Sequence, residues 1–227
     1  MIRSAPLTTA ETYHVYNRGA HKQSIFINDF DRDRFLLLLY IANYSERLHL
    51  GNLLQKYKGR SSMDVLTEEV VDKSLVDVFA YSLMPNHFHL ILRQKADGGI
   101  TTFMKKVGTA YSMYFNAKYD HSGVLFQGRF KSKHVDTDDY FRYLFAYIHL
   151  NPVELVEPGW KEHGPKNKEE IRNFMASYRY SSHYDYALGD RVERAILSYA
   201  EAPEFLKAGN DVEDLLRWYE NIKDGPE

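Results

Sequence analysis

The chain has no cysteine among its 227 residues, which excludes disulfides and thiolate metal sites and removes any redox argument for one compartment over another. It also lacks a surplus of either charge. With 29 Lys and Arg against 31 Asp and Glu, composition alone does not announce a polyanionic partner. The apolar run Phe35-Leu36-Leu37-Leu38-Leu39-Tyr40-Ile41 falls far short of the ~20 residues that a membrane span needs. Met1-Ile2-Arg3-Ser4-Ala5-Pro6 opens no apolar signal core, and there are no repeats or low-complexity tracts. A soluble, cytoplasmic protein without membrane contact is expected.

What is present is unevenly distributed. Between Arg93 and His134 the basic residues Arg93, Lys95, Lys105, Lys106, Lys118, Arg129, Lys131 and Lys133 face only Asp97 and Asp120, whereas the stretch from Glu157 to Glu227 is rich in acids. A basic middle and an acidic end fit a localised surface for a polyanion. The 18 tyrosines and 13 phenylalanines are read mainly as core packing, with base stacking as the other use of such side chains.

The length suits one core with an appendage. Thr12 to Asn17 reads as a strand ending at Arg18-Gly19. Asp29 or Asp31 is the expected cap of a helix with Phe35, Leu38, Leu39 and Ala42 at helical spacing, running to about Leu48. Residues 51–73 read as an excursion with one short helix. Val76–Leu83 and His87–Arg93 flank the turn residues Met84-Pro85-Asn86 and form an antiparallel hairpin. Thr101 or Thr102 should cap a helix to about Ala117. Ser132–Val135 is extended, and Asp136-Thr137-Asp138-Asp139 starts another helix, with Tyr140, Leu144, Tyr147 and Ile148 at helical spacing. This order predicts an α+β fold: a ferredoxin-like antiparallel sheet with helices mainly on one face, in residues 1–157, followed by a polar, helical extension in 158–227.

The chemistry starts at His87-Phe88-His89. A strand's period of two aims both imidazoles at one face, where they make half of a metal site. Taken alone, such a pair is as readily two hydrogen-bonding histidines. Tyr147 and Asn151 lie four apart near the end of the third helix and share a face if helical geometry persists to Asn151. Pro152 disfavours that geometry at the residue before it. An amide oxygen is an acceptable ligand for Mg²⁺ or Mn²⁺, and a tyrosine hydroxyl can attack phosphorus. His149 is two positions from Tyr147 and should point elsewhere.

Five segments in order carry a resemblance: Tyr13-His14-Val15-Tyr16-Asn17-Arg18-Gly19, Met84-Pro85-Asn86-His87-Phe88-His89-Leu90, Phe126-Gln127-Gly128-Arg129-Phe130-Lys131-Ser132, Tyr147-Ile148-His149-Leu150-Asn151-Pro152-Val153 and Tyr178-Arg179-Tyr180-Ser181-Ser182. Together they resemble the single-tyrosine HUH transposases of the IS200-like group, especially the REP-associated tyrosine transposases. The resemblance implies metal-dependent nicking and strand transfer of single-stranded DNA, presented as a hairpin, through a covalent 5′-phosphotyrosine. It implies Tyr147 as the nucleophile, and His87, His89 and Asn151 as ligands of Mg²⁺ or Mn²⁺. Asparagine in the third-ligand place is the form of the REP-associated branch. Asn17, Arg18, Lys105, Arg129, Lys131 and Lys133 are the expected DNA contacts, and a monomer or a homodimer the expected assembly. The rival reading is a domesticated, non-catalytic protein that binds DNA hairpins and regulates. An amidohydrolase-type barrel on the His-x-His pair fails for want of length and further ligands.

Overall fold

The computed structural model describes residues 6–45, 52, 55, 56, 66, 74–208 and 210–221. The expected excursion at 51–73 lies almost wholly outside the described residues. Four strands, β1 (Thr12–Arg18), β2 (Val76–Met84), β3 (His87–Gln94) and β4 (Lys131–His134), form one antiparallel sheet in the order β2-β3-β1-β4. Helix α1 (Asp29–Ile41) follows β1, α2 (Gly99–Tyr119) follows β3 and α3 (Asp138–Leu150) follows β4. This is the ferredoxin-like arrangement expected from the order of elements.

Helix boundaries differ from expectation for local reasons. Asn28, not an aspartate, caps α1: its Oδ1 accepts from Asp31 N while Asp31 Oδ2 accepts from Asn28 N and Ile27 N, a reciprocal capping box. The helix ends at Ile41 rather than near Leu48 because Asn43 ties the chain to β2, its Oδ1 accepting from Leu75 N and Val76 N. Helix α2 starts before Thr101, on the left-handed Gly98 (φ 66°). Gln94 Oε1 accepts from Ile100 N at 3.2 Å, satisfying one of the free N–H groups of the first turn. A Cβ on Gly99 would stand 2.4 Å from Leu75 O, so the helix enters by close backbone approach. Thr137 caps α3 as expected, accepting from Tyr140 N.

The sheet is covered on both faces rather than mainly on one, because α3 packs opposite α1 and α2. On one side Phe88 packs on Phe35 of α1 (4.9 Å between ring centres), which meets Tyr111 of α2. On the other, α3 lies against β2 and β3, with Phe141 on Phe79 and Tyr147 beside His89. The chain then continues through a 3-10 turn (Asn151–Leu155), α4 (Trp160–His163), α5 (Lys168–Ser177), α6 (His183–Ala187), α7 (Glu204–Lys207) and α8 (Val212–Glu220). These elements extend the same apolar cluster: Trp160, Ile171, Leu206 and Leu215 are buried in it.

The extension also closes the outer edge of β2. Leu83 N donates to Tyr180 O, Ser182 N to Tyr81 O, Ser198 N to Val78 O, and the Tyr178 and Tyr186 hydroxyls to Leu83 O and Phe79 O. Unpaired strand edges recruit other strands, and here the chain's own later residues occupy the edge. Arg191 fixes this strap, donating to Asp185 Oδ2 (2.8 Å), Ser181 O (2.6 Å) and Tyr81 OH (3.1 Å).

Candidate active site

Directly paired residues of antiparallel strands point to the same face. The register pairs Tyr16 with both His89 and Lys131, His14 with both Ile91 and Lys133, and Arg18 with His87. One face of the sheet, the one under α3, therefore carries His14, Tyr16, Arg18, His87, His89, Lys131 and Lys133.

The two histidines of β3 are held by different partners. His87 Nδ1 lies 2.6 Å from Asn86 Oδ1; a carbonyl oxygen only accepts, so Nδ1 carries the proton and Nε2 presents its lone pair. His89 Nδ1 lies 2.9 Å from His14 Nε2, both side chains being buried. Burial holds all three in the neutral form: it pulls His14 down to about 3 with help from Lys133, and His87 down to about 4 with help from Lys161 and Arg18. It also takes His89 well below its usual range, with the neighbouring His14, His87 and Lys161 acting in the same sense. Neutral imidazole is the metal-binding form, so no proton has to be displaced before coordination.

Helix α3 brings the phenol to this face. The Tyr147 ring stands edge-on to His89, 5.5 Å between centres, and 6.3 Å from His14. Asn151 keeps helical angles (φ −54°, ψ −42°) despite Pro152, so Tyr147 and Asn151 stay on one face. The Asn151 side chain interacts with both the His87 ring and the Tyr147 phenol, and its Nδ2 is buried without a partner. Two imidazole lone pairs and an amide oxygen are donor types that suit a divalent ion, whereas the unpartnered Nδ2 of Asn151 is a hydrogen-bond donor and not a ligand. Among the described residues no group of three or more His, Cys, Asp or Glu side chains is arranged to hold one. Burial, seconded by Tyr143, raises the Tyr147 phenol above its usual range, against the opposing Asn151 hydrogen bond.

Of the expected DNA contacts, Arg18, Lys131 and Lys133 share the histidine face, and Arg129 stands exposed in the loop before β4. Two do not belong there. Asn17 pairs with Phe88 and so points to the opposite face, where its Nδ2 donates to Gly128 O. Lys105 projects from α2, on the far side of the sheet, because Phe103, Met104 and Val107 take the inward positions. His149 points away as expected, its Nε2 2.8 Å from Ser182 Oγ. Sequence reasoning missed His14, whose even spacing from Tyr16 along β1 was the available signal, and Lys161, whose Nζ lies 4.6 Å from the centre of the Tyr147 ring and for which no motif spoke.

No curated protein matches the chain. Among solved structures it is similar to a REP-associated tyrosine transposase bound to a REP hairpin, with 12% identity over 93% of this chain and 92% of that one and a TM-score of 0.48. It is also similar to the tRNA(His) guanylyltransferase of Saccharomyces cerevisiae, with 10% identity over 90% and 86% and a TM-score of 0.35. Residues 54–151 match the family described as IS200-like transposases. The matched segment includes His87, His89, Tyr147 and Asn151.

Proposed function

We propose that this protein is a transposase that nicks single-stranded DNA and transfers the strand through a covalent bond between Tyr147 and the 5′ phosphate, on DNA that bears a hairpin. The observation that carries the reading is the meeting of four side chains from two distant segments: His87 and His89 from β3, Tyr147 and Asn151 from the end of α3. A structural role for Tyr147 does not call for an amide hydrogen-bonded to its phenol and a neutral imidazole against its ring.

The Tyr147 oxygen attacks phosphorus, the bond from phosphorus to the 3′ oxygen breaks, and the 3′ oxygen leaves as a hydroxyl after taking a proton. The phosphotyrosine retains the diester, so a second 3′-hydroxyl reverses the step and joins a new strand without a nucleotide cofactor. His87, His89 and Asn151 would hold Mg²⁺ or Mn²⁺, which when bound offsets the negative charge of a non-bridging oxygen. His14 keeps the His89 ring oriented, and Arg18, Lys131 and Lys133 flank the site with positive charge for the strand. Tyr147 meets the histidines of its own chain, so one copy contains what a single cleavage requires.

The test is incubation of the protein with a single-stranded hairpin substrate and Mg²⁺ or Mn²⁺. A denaturation-resistant protein–DNA adduct that disappears in Tyr147→Phe and persists in Tyr143→Phe is expected. Binding without adduct across several substrates would overturn the catalytic reading in favour of a hairpin-binding regulator.

A further inference from the structure

The ammonium of Lys161 lies over the ring of Tyr147, 4.6 Å from its centre, and comes from the C-terminal extension rather than from the sheet or α3. Its position is fixed by its neighbours. Trp160 is buried against Tyr219, 5.2 Å between ring centres, and Gly159 N donates to Glu154 Oε1 at 3.0 Å. The side chain is only partly exposed. Among the described residues it has neither an ion pair nor a hydrogen bond, the aromatic ring being its contact; Glu154 and Glu162 act on it only at longer range.

A partly buried cation without an anionic partner is unfavourable in the free protein, since burial opposes the charged form. Here burial does lower the affinity of Lys161 for its proton. Such an arrangement persists without penalty to function when the missing anion is the ligand. The surroundings name the anion's class: a phenol, two neutral imidazoles and an amide contribute no negative charge, and the proposed substrate is a phosphodiester.

We propose that Lys161 is a catalytic residue that contacts a non-bridging oxygen of the scissile phosphate and holds the charge that develops as Tyr147 attacks. This rests on the phosphotyrosine reading above and adds to it a cation supplied by the extension. Lys161 keeps its protons throughout. The bond from Tyr147 Oη to phosphorus forms as the bond to the 3′ oxygen breaks; the phenolic proton passes to water, and water returns one to the leaving oxygen.

The test compares wild type, Lys161→Met and Lys161→Arg in single-turnover adduct formation on one hairpin substrate. Affinity for the same DNA is measured in EDTA, and melting temperature without DNA. Loss of one preorganised donor to a developing charge lowers rate by about 100- to 1,000-fold. Lys161→Met is expected to slow adduct formation to that extent, with affinity within about threefold, as befits a single phosphate contact, and a melting temperature equal to wild type or higher. Lys161→Arg should recover at least about a tenth of the wild-type rate, because it retains the charge. An adduct rate in Lys161→Met within about threefold of wild type overturns the assignment. So does a slow rate accompanied by a lowered melting temperature in both variants, which marks a structural lysine. Failure of wild type itself to form an adduct overturns the underlying phosphotyrosine reading, and is visible before any variant is compared.

Discussion

Acidification should destabilise this protein well before its carboxylates are protonated. His14, His89, His149 and His183 are each no more than 8% exposed, and burial is the largest cause holding each of them below its ordinary value near 6.5. In the unfolded chain all four take up protons as pH falls through that value, whereas the folded chain refuses them until roughly pH 4 or lower for His183 and about 3 for His14. The unfolded state therefore binds more protons, and stability rises with pH across this window. Full stability is present above about pH 6.5 and is progressively lost below it. At pH 5 His14 and His183 each favour unfolding by about 2 kcal/mol, and His89 and His149 act in the same direction. Those two together approach about 4 kcal/mol, a large share of the stability of an ordinary domain, about 5–15 kcal/mol. Urea unfolding followed by circular dichroism at pH 7.5, 6.5, 5.5 and 5.0, in EDTA, measures the slope. A midpoint that moves by less than the equivalent of about 2 kcal/mol over that range would refute the claim that these imidazoles are buried and neutral.

His14→Phe keeps a ring at the position but leaves His89 Nδ1 without its partner; Mn²⁺ affinity by calorimetry should fall about 10- to 100-fold. Arg191→Ala leaves Asp185 buried and unpaired, so chemical denaturation should report a loss of about 3–5 kcal/mol. In the Lys131→Ala/Lys133→Ala double variant, the dependence of log binding on log salt for single-stranded DNA should become shallower by about 1.4. Lys105→Ala should leave that slope unchanged.

The architecture was legible because it depends on short-range patterns. Alternation along β1 and β3, the Pro85-Asn86 turn and helical spacing in α1 and α3 are each visible within a dozen residues, and together they determine the order of elements. The Tyr147 and Asn151 pair was legible for the same reason, four positions on one helix. What failed depended on distant partners. The first turn of α2 finds its acceptor in Gln94 rather than in its own threonines, and α1 stops where Asn43 meets β2. His14 and His89 are 75 positions apart, so their pairing becomes visible only with the register. Asn17 and Arg18 were assigned together, yet strand alternation separates neighbours onto opposite faces; the parity was in the sequence and the pairing that gave it meaning was not. Lys161 reaches the site through the path of the extension, which no local pattern encodes.

The strap along β2 gives the order of synthesis a physical meaning. The four strands are complete once His134 has been made, but the row of N–H and C=O groups on Val78, Tyr81 and Leu83 finds its partners only when Tyr180, Ser182 and Ser198 emerge. Until then a nascent or truncated polypeptide carries an adhesive border on which a second copy can nucleate. The C-terminal third thus covers a border that would otherwise be open to another strand, and a chain that stops before Tyr178 is expected to aggregate.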